Sequence, residues 1–224
     1  MDVFECIRKR KSVRGYTQEM PSREMIEQCL EAASWAPNPT SQQPWKFIVL
    51  TGTALQQVSS VIADSYGEAA AAKAELPEPP VPEKVKQELA SRKSDNFGAM
   101  ISFLQEQGAD MDLLGSGIFS FQHAPVGVIF GVYPDKGRNY FKATVAAMEN
   151  FMLAATAQGL GTCWMNAVSI CQEAIKATLR LEQELVLVDG LALGYPDQSS
   201  PVNHIPRQRL PVDAVTMWLD EKGV

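Results

Sequence analysis

The sequence is poor in the residues from which metal centres and disulfide frameworks are built. Its 224 residues include four cysteines and two histidines. Cys6, Cys29, Cys163 and Cys171 form no C-x-x-C pair, and neither His123 nor His204 sits in an H-x-x-x-H or H-x-E pattern. Four packed free thiols and no metal site are therefore expected. A basic excess is missing too. Twenty Lys and Arg stand against 26 Asp and Glu, a net charge of −6, so neither nucleic acid nor a membrane surface is an expected partner. No apolar run approaches the eighteen residues of a membrane-spanning helix. The first residues, Met1 to Glu5, lack the basic-then-apolar order of a secretory signal, which makes a cytoplasmic location the expectation. Internal repeats are absent.

What is present suits one large domain: 46% of the residues are hydrophobic and 21% charged. A first helix is expected over Asp2 to Arg10, because Asp2 and Glu5 have capping-box spacing and Val3, Phe4 and Ile7 share a face. Ser22 is the N-cap of a second helix with Met25, Ile26, Cys29, Leu30 and Ala33 at helical spacing, ending before Pro37. Pro37 to Pro44 reads as neither helix nor interior strand, since three prolines remove donors and fix φ. Trp45 to Leu50 reads as a buried strand. A helix over Ala54 to Ala74, broken at Gly67, should be followed by an extended stretch from Leu76 to Pro82 and a charged helix from Glu83 to Gln107. Gly115 to Gly117 reads as a flexible turn. Residues 67–117 are thus expected to form a lid-like insertion.

The second half gives a strand over Ala124 to Tyr133 and a helix over Phe141 to Gln158 that is apolar on nearly every face, which describes burial on all sides or against a partner copy. A short strand at Thr162 to Met165, a helix near Gln172 to Leu181 and a strand at Leu185 to Leu193 follow. The tail from Leu210 to Leu219 is apolar without helical period, as an extended arm would be. Helices followed by strands, mostly without alternation, indicate α+β.

Three segments could carry chemistry. In Arg8-Lys9-Arg10-Lys11-Ser12-Val13-Arg14 five of seven residues are basic, in a chain that is acidic overall. Guanidinium forks and a hydroxyl suit a phosphate dianion, although cations also gather at helix C-termini for the macrodipole alone. Asn38, Ser41, Gln42 and Gln43 set polar side chains on a rigid loop, the arrangement that fixes a planar heterocycle. Arg207 and Arg209, one residue apart, would share a side of an extended backbone. Gly159 and Gly161 would allow close backbone approach to a ligand, though a helix C-cap accounts for Gly159 equally well.

Five segments in register resemble the nitroreductase family of FMN enzymes: Arg10 to Tyr16, Pro37 to Trp45, Gly159 to Trp164, Leu193 to Pro196, and Arg207 to Arg209. Only residues 52–120 or so lack a counterpart. The resemblance implies an α+β fold with a central mixed or antiparallel sheet flanked by helices, in an intertwined homodimer that exchanges C-terminal arms and builds composite active sites. It implies FMN held by Arg10, Lys11, Ser12 and Arg14 at its phosphate and pyrimidine edge, and by Arg209, with Arg207, at a C-terminal clamp. Pro37, Asn38, Pro39 and Ser41 would come from the other subunit, and Met165, Asn166 and Ala167 would lie near flavin N5. Many relatives carry serines where this chain has Asn38 and Pro39, and some carry glutamate where it has Asn166. Relatives also often touch the pyrimidine from the segment before the central strand, here Ser116 to Gln122.

The implied activity is ping-pong transfer of electrons from NADH or NADPH to a small-molecule electron acceptor such as a nitroaromatic or quinone. The resemblance singles out no catalytic side chain. Enone reduction, dehalogenation or non-catalytic FMN carriage are the alternatives. Trp164, Phe97, Phe119 and Phe121 could wall an aromatic pocket, or simply pack the core.

Overall fold

The computed structural model describes residues 1–74, 80–109, 115–135 and 138–219. Helix α1 (Val3–Lys9) starts where the Asp2 side chain accepts from the Glu5 amide at 2.8 Å, and α2 (Arg23–Ser34) starts on Ser22, whose hydroxyl accepts from the Met25 amide. Both caps meet the sequence expectation.

Four strands form one antiparallel sheet in the order β1 (Trp45–Thr51), β2 (Val126–Val132), β4 (Val186–Gly194), β3 (Gly161–Met165). Alternation along β2 sends Val126, Val128, Phe130 and Val132 into a core with α2 and α5 (Asn139–Ala157), while Ile129 faces the opposite core with α3 (Gly52–Ala74), α6 (Ala167–Ile170) and α7 (Gln172–Leu179). Helices cover both faces, which is why β2 is buried throughout and reads as a continuous apolar run. Fully buried Phe130, Phe151, Met148, Leu191 and Leu193 dominate the interior, each contributing about 1.5–3 kcal/mol of burial.

Several local expectations need correction. Helix α3 runs unbroken through Gly67, because an isolated glycine costs only about 1 kcal/mol in a helix and the flanking alanines favour it. The strand expected to be buried, β1, is an edge strand, and only Leu50 is buried along it. The proline-rich loop, as expected, forms neither a regular helix nor a strand: its one short 3-10 turn, Pro39–Ser41, holds Thr40 and Ser41 at left-handed φ of 48° and 54°. The expected flexible turn is instead the start of a 3-10 turn, Ser116–Phe119, and the tail contains another, Val212–Val215. Phe121 is fully buried rather than lining a pocket. The stretch expected to be extended, Leu76 to Pro82, lies mostly outside the described residues.

Helix α4 (Glu83–Glu106) stands apart, with Leu104 as its one buried residue among those described. Helices α1 and α5 touch each other, yet leave Val3, Phe4, Ile7, Phe141 and Val145 exposed. Of the two alternatives expected for α5, enclosure on all sides within one chain is therefore not what the fold shows.

Candidate active site

The basic segment is held against the sheet by its own backbone. Val13 donates to the Thr162 carbonyl at 2.9 Å, Ser12 bridges Thr162, and Tyr16 bridges Pro196. Gly161 permits this approach, since a Cβ there would stand 2.6 Å from the Val13 side chain. The close approach that Gly161 allows is thus to Val13 of the same chain. Gly159, at φ +78°, caps α5, and Leu160 donates back to Ala155 at 2.9 Å.

Asn203, only 2% exposed, locks the arrangement from the far end of the chain. Its Oδ1 accepts from the amides of Arg14 (2.9 Å) and Gly15 (3.2 Å), and its Nδ2 donates to the carbonyls of Gly15 (2.7 Å) and Asp197 (2.9 Å). Sequence reading passed over Asn203; one asparagine in a polar loop carries no local signal.

The basic side chains then diverge. Arg10, Arg207 and Arg209 line one cavity of about 470 Å³ with Ile7 and Arg8. Arg10 also pairs with Glu149 at 3.4 Å. Arg207 donates to the carbonyls of Arg8 (2.7 Å) and Arg10, satisfying the end of α1. The Lys11 ammonium donates to the Asn203 carbonyl, and burial, then the Arg207 charge, lowers its pKa. Arg14 sends its charge toward Cys163 and the enclosed Tyr16 hydroxyl, opposing the upward push that burial gives both groups. On the far side of the clamp, Asn96 and Ala99 of α4 line a cavity of about 270 Å³ with Pro206 to Arg209.

Pro37, Asn38 and Ser41 line a separate cavity of about 550 Å³ with Glu31, Ser34 and Trp35, and Pro39 opens the 3-10 turn between them. One chain does not bring this loop into the arginine cavity. The Asn38 side chain is spent on the loop, accepting from the Gln43 amide at 2.8 Å and donating to the Ala36 carbonyl at 3.1 Å.

Strand β3 ends at buried Met165, and exposed Asn166 leads into α6, which starts at buried Ala167. Behind this junction lies Asp189, a second residue that sequence reading missed. On the regular β3–β4 ladder Trp164 pairs with Leu191, which sets Asp189 diagonally across from it on the same face. Asp189 Oδ2 accepts from the Trp164 indole at 2.7 Å, while Oδ1 is enclosed without a hydrogen-bond partner among the described residues. Burial raises its pKa, opposed by Ser169, by Trp164 and by the charge of Lys73.

The segment before β2 is strained. Phe121, Gln122 and His123 all have φ between 49° and 56°, and each such residue costs on the order of 1–3 kcal/mol. Phe121 anchors the strain, its ring filling space that Gly127 and Gly190 leave: a Cβ at those positions would stand 2.9 Å and 3.2 Å from it.

Among the described residues no group of His, Cys, Asp and Glu could hold a metal ion, and no helix is long and apolar enough to cross a membrane. The fold is α+β, with a four-stranded antiparallel sheet between helices, and it gathers Arg8, Arg10, Arg207 and Arg209 around one cavity. The chain belongs to the Nitroreductase family, whose profile matches residues 7–195. It is 29% identical to the nitrobenzene nitroreductase of Ectopseudomonas oleovorans, covering 98% of this chain and 97% of that one. It is 28% identical to the chloronitrobenzene nitroreductase of Comamonas testosteroni, over 98% and 97%. Among solved structures it is similar to the FMN- and NADPH-dependent nitroreductase NfnB of Sphigopyxis sp. strain HMH, with a TM-score of 0.78, 25% identity, and 98% and 100% of the two chains covered.

Proposed function

We propose that this protein is an FMN-dependent oxidoreductase that uses NADH or NADPH to reduce nitroaromatics, quinones or similar electron-poor acceptors. The observation that carries the proposal is the cavity shared by Arg8, Arg10, Arg207 and Arg209, which suits a phosphate dianion. Bound FMN supplies the electron transfer between donor and acceptor; the protein supplies position and charge. Arg10 and Arg209 hold the phosphate, with Arg207 tying the clamp to the end of α1. Ser12 and Lys11 belong to the same cradle. Arg14 places positive charge at the pyrimidine edge, where negative charge would otherwise be costly. Met165 and Asn166 present the strand-to-helix junction to the reactive edge of the ring. The nitroarene names of the relatives favour nitroaromatic acceptors over enones or halogenated compounds.

The site is composite in this reading. Pro37, Asn38, Pro39 and Ser41 lie outside the arginine cavity of their own chain and reach a partner's flavin instead. The exposed Val3, Phe4, Ile7, Trp35, Phe141 and Val145, and the exposed tail residues Val212, Val215, Met217, Trp218 and Leu219, supply an apolar surface of the kind an obligate homodimer buries. The edge strand β1 offers the exchanged arm unpaired backbone. The insertion, whose helix α4 lines a cavity with Pro206 to Arg209, acts as the lid.

A yellow purified protein that oxidises NADH or NADPH with a nitroarene supports the reading. A colourless one refutes it, and a yellow one without turnover is a carrier. The composite site is tested with two inactive variants, Arg10→Glu and Ser41→Asp, refolded together. Random pairing puts both lesions on one flavin of each heterodimer, so activity should return to roughly a quarter of wild type. Confirmed heterodimers without activity would refute shared sites.

A further inference from the structure

We propose that Glu149 is the internal counter-ion of the arginine cavity: it holds Arg10 while the cavity is empty, gives it up to an incoming phosphate dianion, and so sets how tightly the flavin is retained. The inference rests on the phosphate reading above and deepens it. Four arginines, Arg8, Arg10, Arg207 and Arg209, line the cavity. Three of them donate only to carbonyls: Arg8 to Phe4 at 3.2 Å, Arg207 to Arg8 and Arg10, and Arg209 to Gln208 at 2.8 Å. Among the described residues Arg10 alone of the four meets a carboxylate, Glu149 at 3.4 Å. Like charges are held close here, since burial and then the charges of Arg209 and Arg10 lower the Arg207 pKa.

The fold mounts this carboxylate rigidly. Glu149 lies inside α5 between Met148, which is fully buried, and Asn150, whose side chain donates to the Ala32 carbonyl of α2 at 3.2 Å. Helix α1 packs against α5 and Arg10 is the C-cap of α1, so the pair bridges the two helices where the cavity forms. Side-chain exposures of 24% for Arg10 and 45% for Glu149 leave the pair wet and weak. It therefore adds little to folding, and its consequence falls on the ligand. A phosphate monoester brings about two negative charges and makes paired, charge-assisted hydrogen bonds shorter than the contact with Glu149. It displaces the carboxylate from Arg10, then feels the repulsion of a negative charge that the helix holds in place. Removing that charge should tighten phosphate binding and leave a neutral ligand unaffected.

The test titrates the full-length apo protein with FMN and with riboflavin, which lacks the phosphate, following flavin fluorescence in wild type and in Glu149→Gln. The variant should bind FMN about threefold more tightly, a size set by one exposed charge pair, and riboflavin as wild type does. The gain for FMN should shrink as salt rises. By linkage, bound FMN should raise the melting temperature of the variant by more than it raises that of wild type. Weaker FMN binding would make Glu149 a strut that positions Arg10, and would overturn the proposal. So would equal affinities, or a gain shared by riboflavin, which would place the effect on the ring or the fold. Inorganic phosphate separates this inference from the flavin reading. If neither protein bound FMN, the flavin reading would fall; stronger phosphate protection of Glu149→Gln against heating would still uphold the counter-ion, and equal protection would overturn it as well.

Discussion

Replacing Asn203 with leucine should destabilise the protein and loosen the proposed cofactor cradle together. The substitution conserves approximate volume but removes four hydrogen bonds, to the Arg14 and Gly15 amides and to the Gly15 and Asp197 carbonyls. At about 1 kcal/mol net per bond the loss is about 4 kcal/mol. Arg14 and Gly15 are only partly buried, so water can re-satisfy some of the stranded groups, and about 2–4 kcal/mol is the working range. For a chain of this length that lowers Tm by roughly 5–15 °C. The assay is thermal unfolding of the apo protein at fixed concentration, because oligomerisation makes Tm concentration-dependent. Flavin titration of the same variant below its transition should show weaker binding, since the Arg14 backbone is no longer pinned. Asn203→Asp preserves the acceptor for both amides and should fall between. A Tm within about 2 °C of wild type for Asn203→Leu, against the range expected from lost hydrogen bonds, would refute the claim that this side chain holds residues 14 and 15 in place.

Three further outcomes are expected. Arg10→Glu should weaken FMN binding at least tenfold, because each charge-assisted hydrogen bond is worth about 1.5–3 kcal/mol; its long, partly exposed pairing with Glu149 at 3.4 Å contributes little to the fold, so a folded protein with full flavin occupancy would sink the clamp assignment. The raised pKa of Asp189 means the folded state holds this proton more tightly than the unfolded chain. Its burial therefore costs stability as pH rises from the unfolded pKa through the folded one. Asp189→Asn should stabilise at neutral pH and lose that advantage in acid, whereas a pH-independent difference would refute a titrating Asp189. Cys6, Cys29, Cys163 and Cys171 are all buried, and burial pushes the Cys29 thiol up to about 12 and raises Cys163. A disulfide thiol reagent should therefore titrate almost no thiol until the protein is denatured; rapid native labelling would contradict the packing.

The sequence by itself determined the elements whose cause is local. Asp2 and Ser22 cap helices because a side-chain oxygen three residues before an open amide suffices. The apolar run of β2 and the glycine closing α5 were equally legible, as were the arginines at positions 10, 207 and 209, because clustered cations in an acidic chain need a reason. What lay beyond sequence reading depends on residues far apart in the chain. The edge position of β1 is a property of strand order. Continuity of α3 through Gly67 shows neighbours overriding one weak residue. Asn203 acquires its role only when residues 188 and 189 positions away return to it, and Asp189 only when β3 pairs with β4 and sets Trp164 diagonally across from it. Glu149 is one acid among 26 Asp and Glu in the sequence. Only the packed fold singles it out, because its pairing with Arg10 exists only once α1 lies against α5.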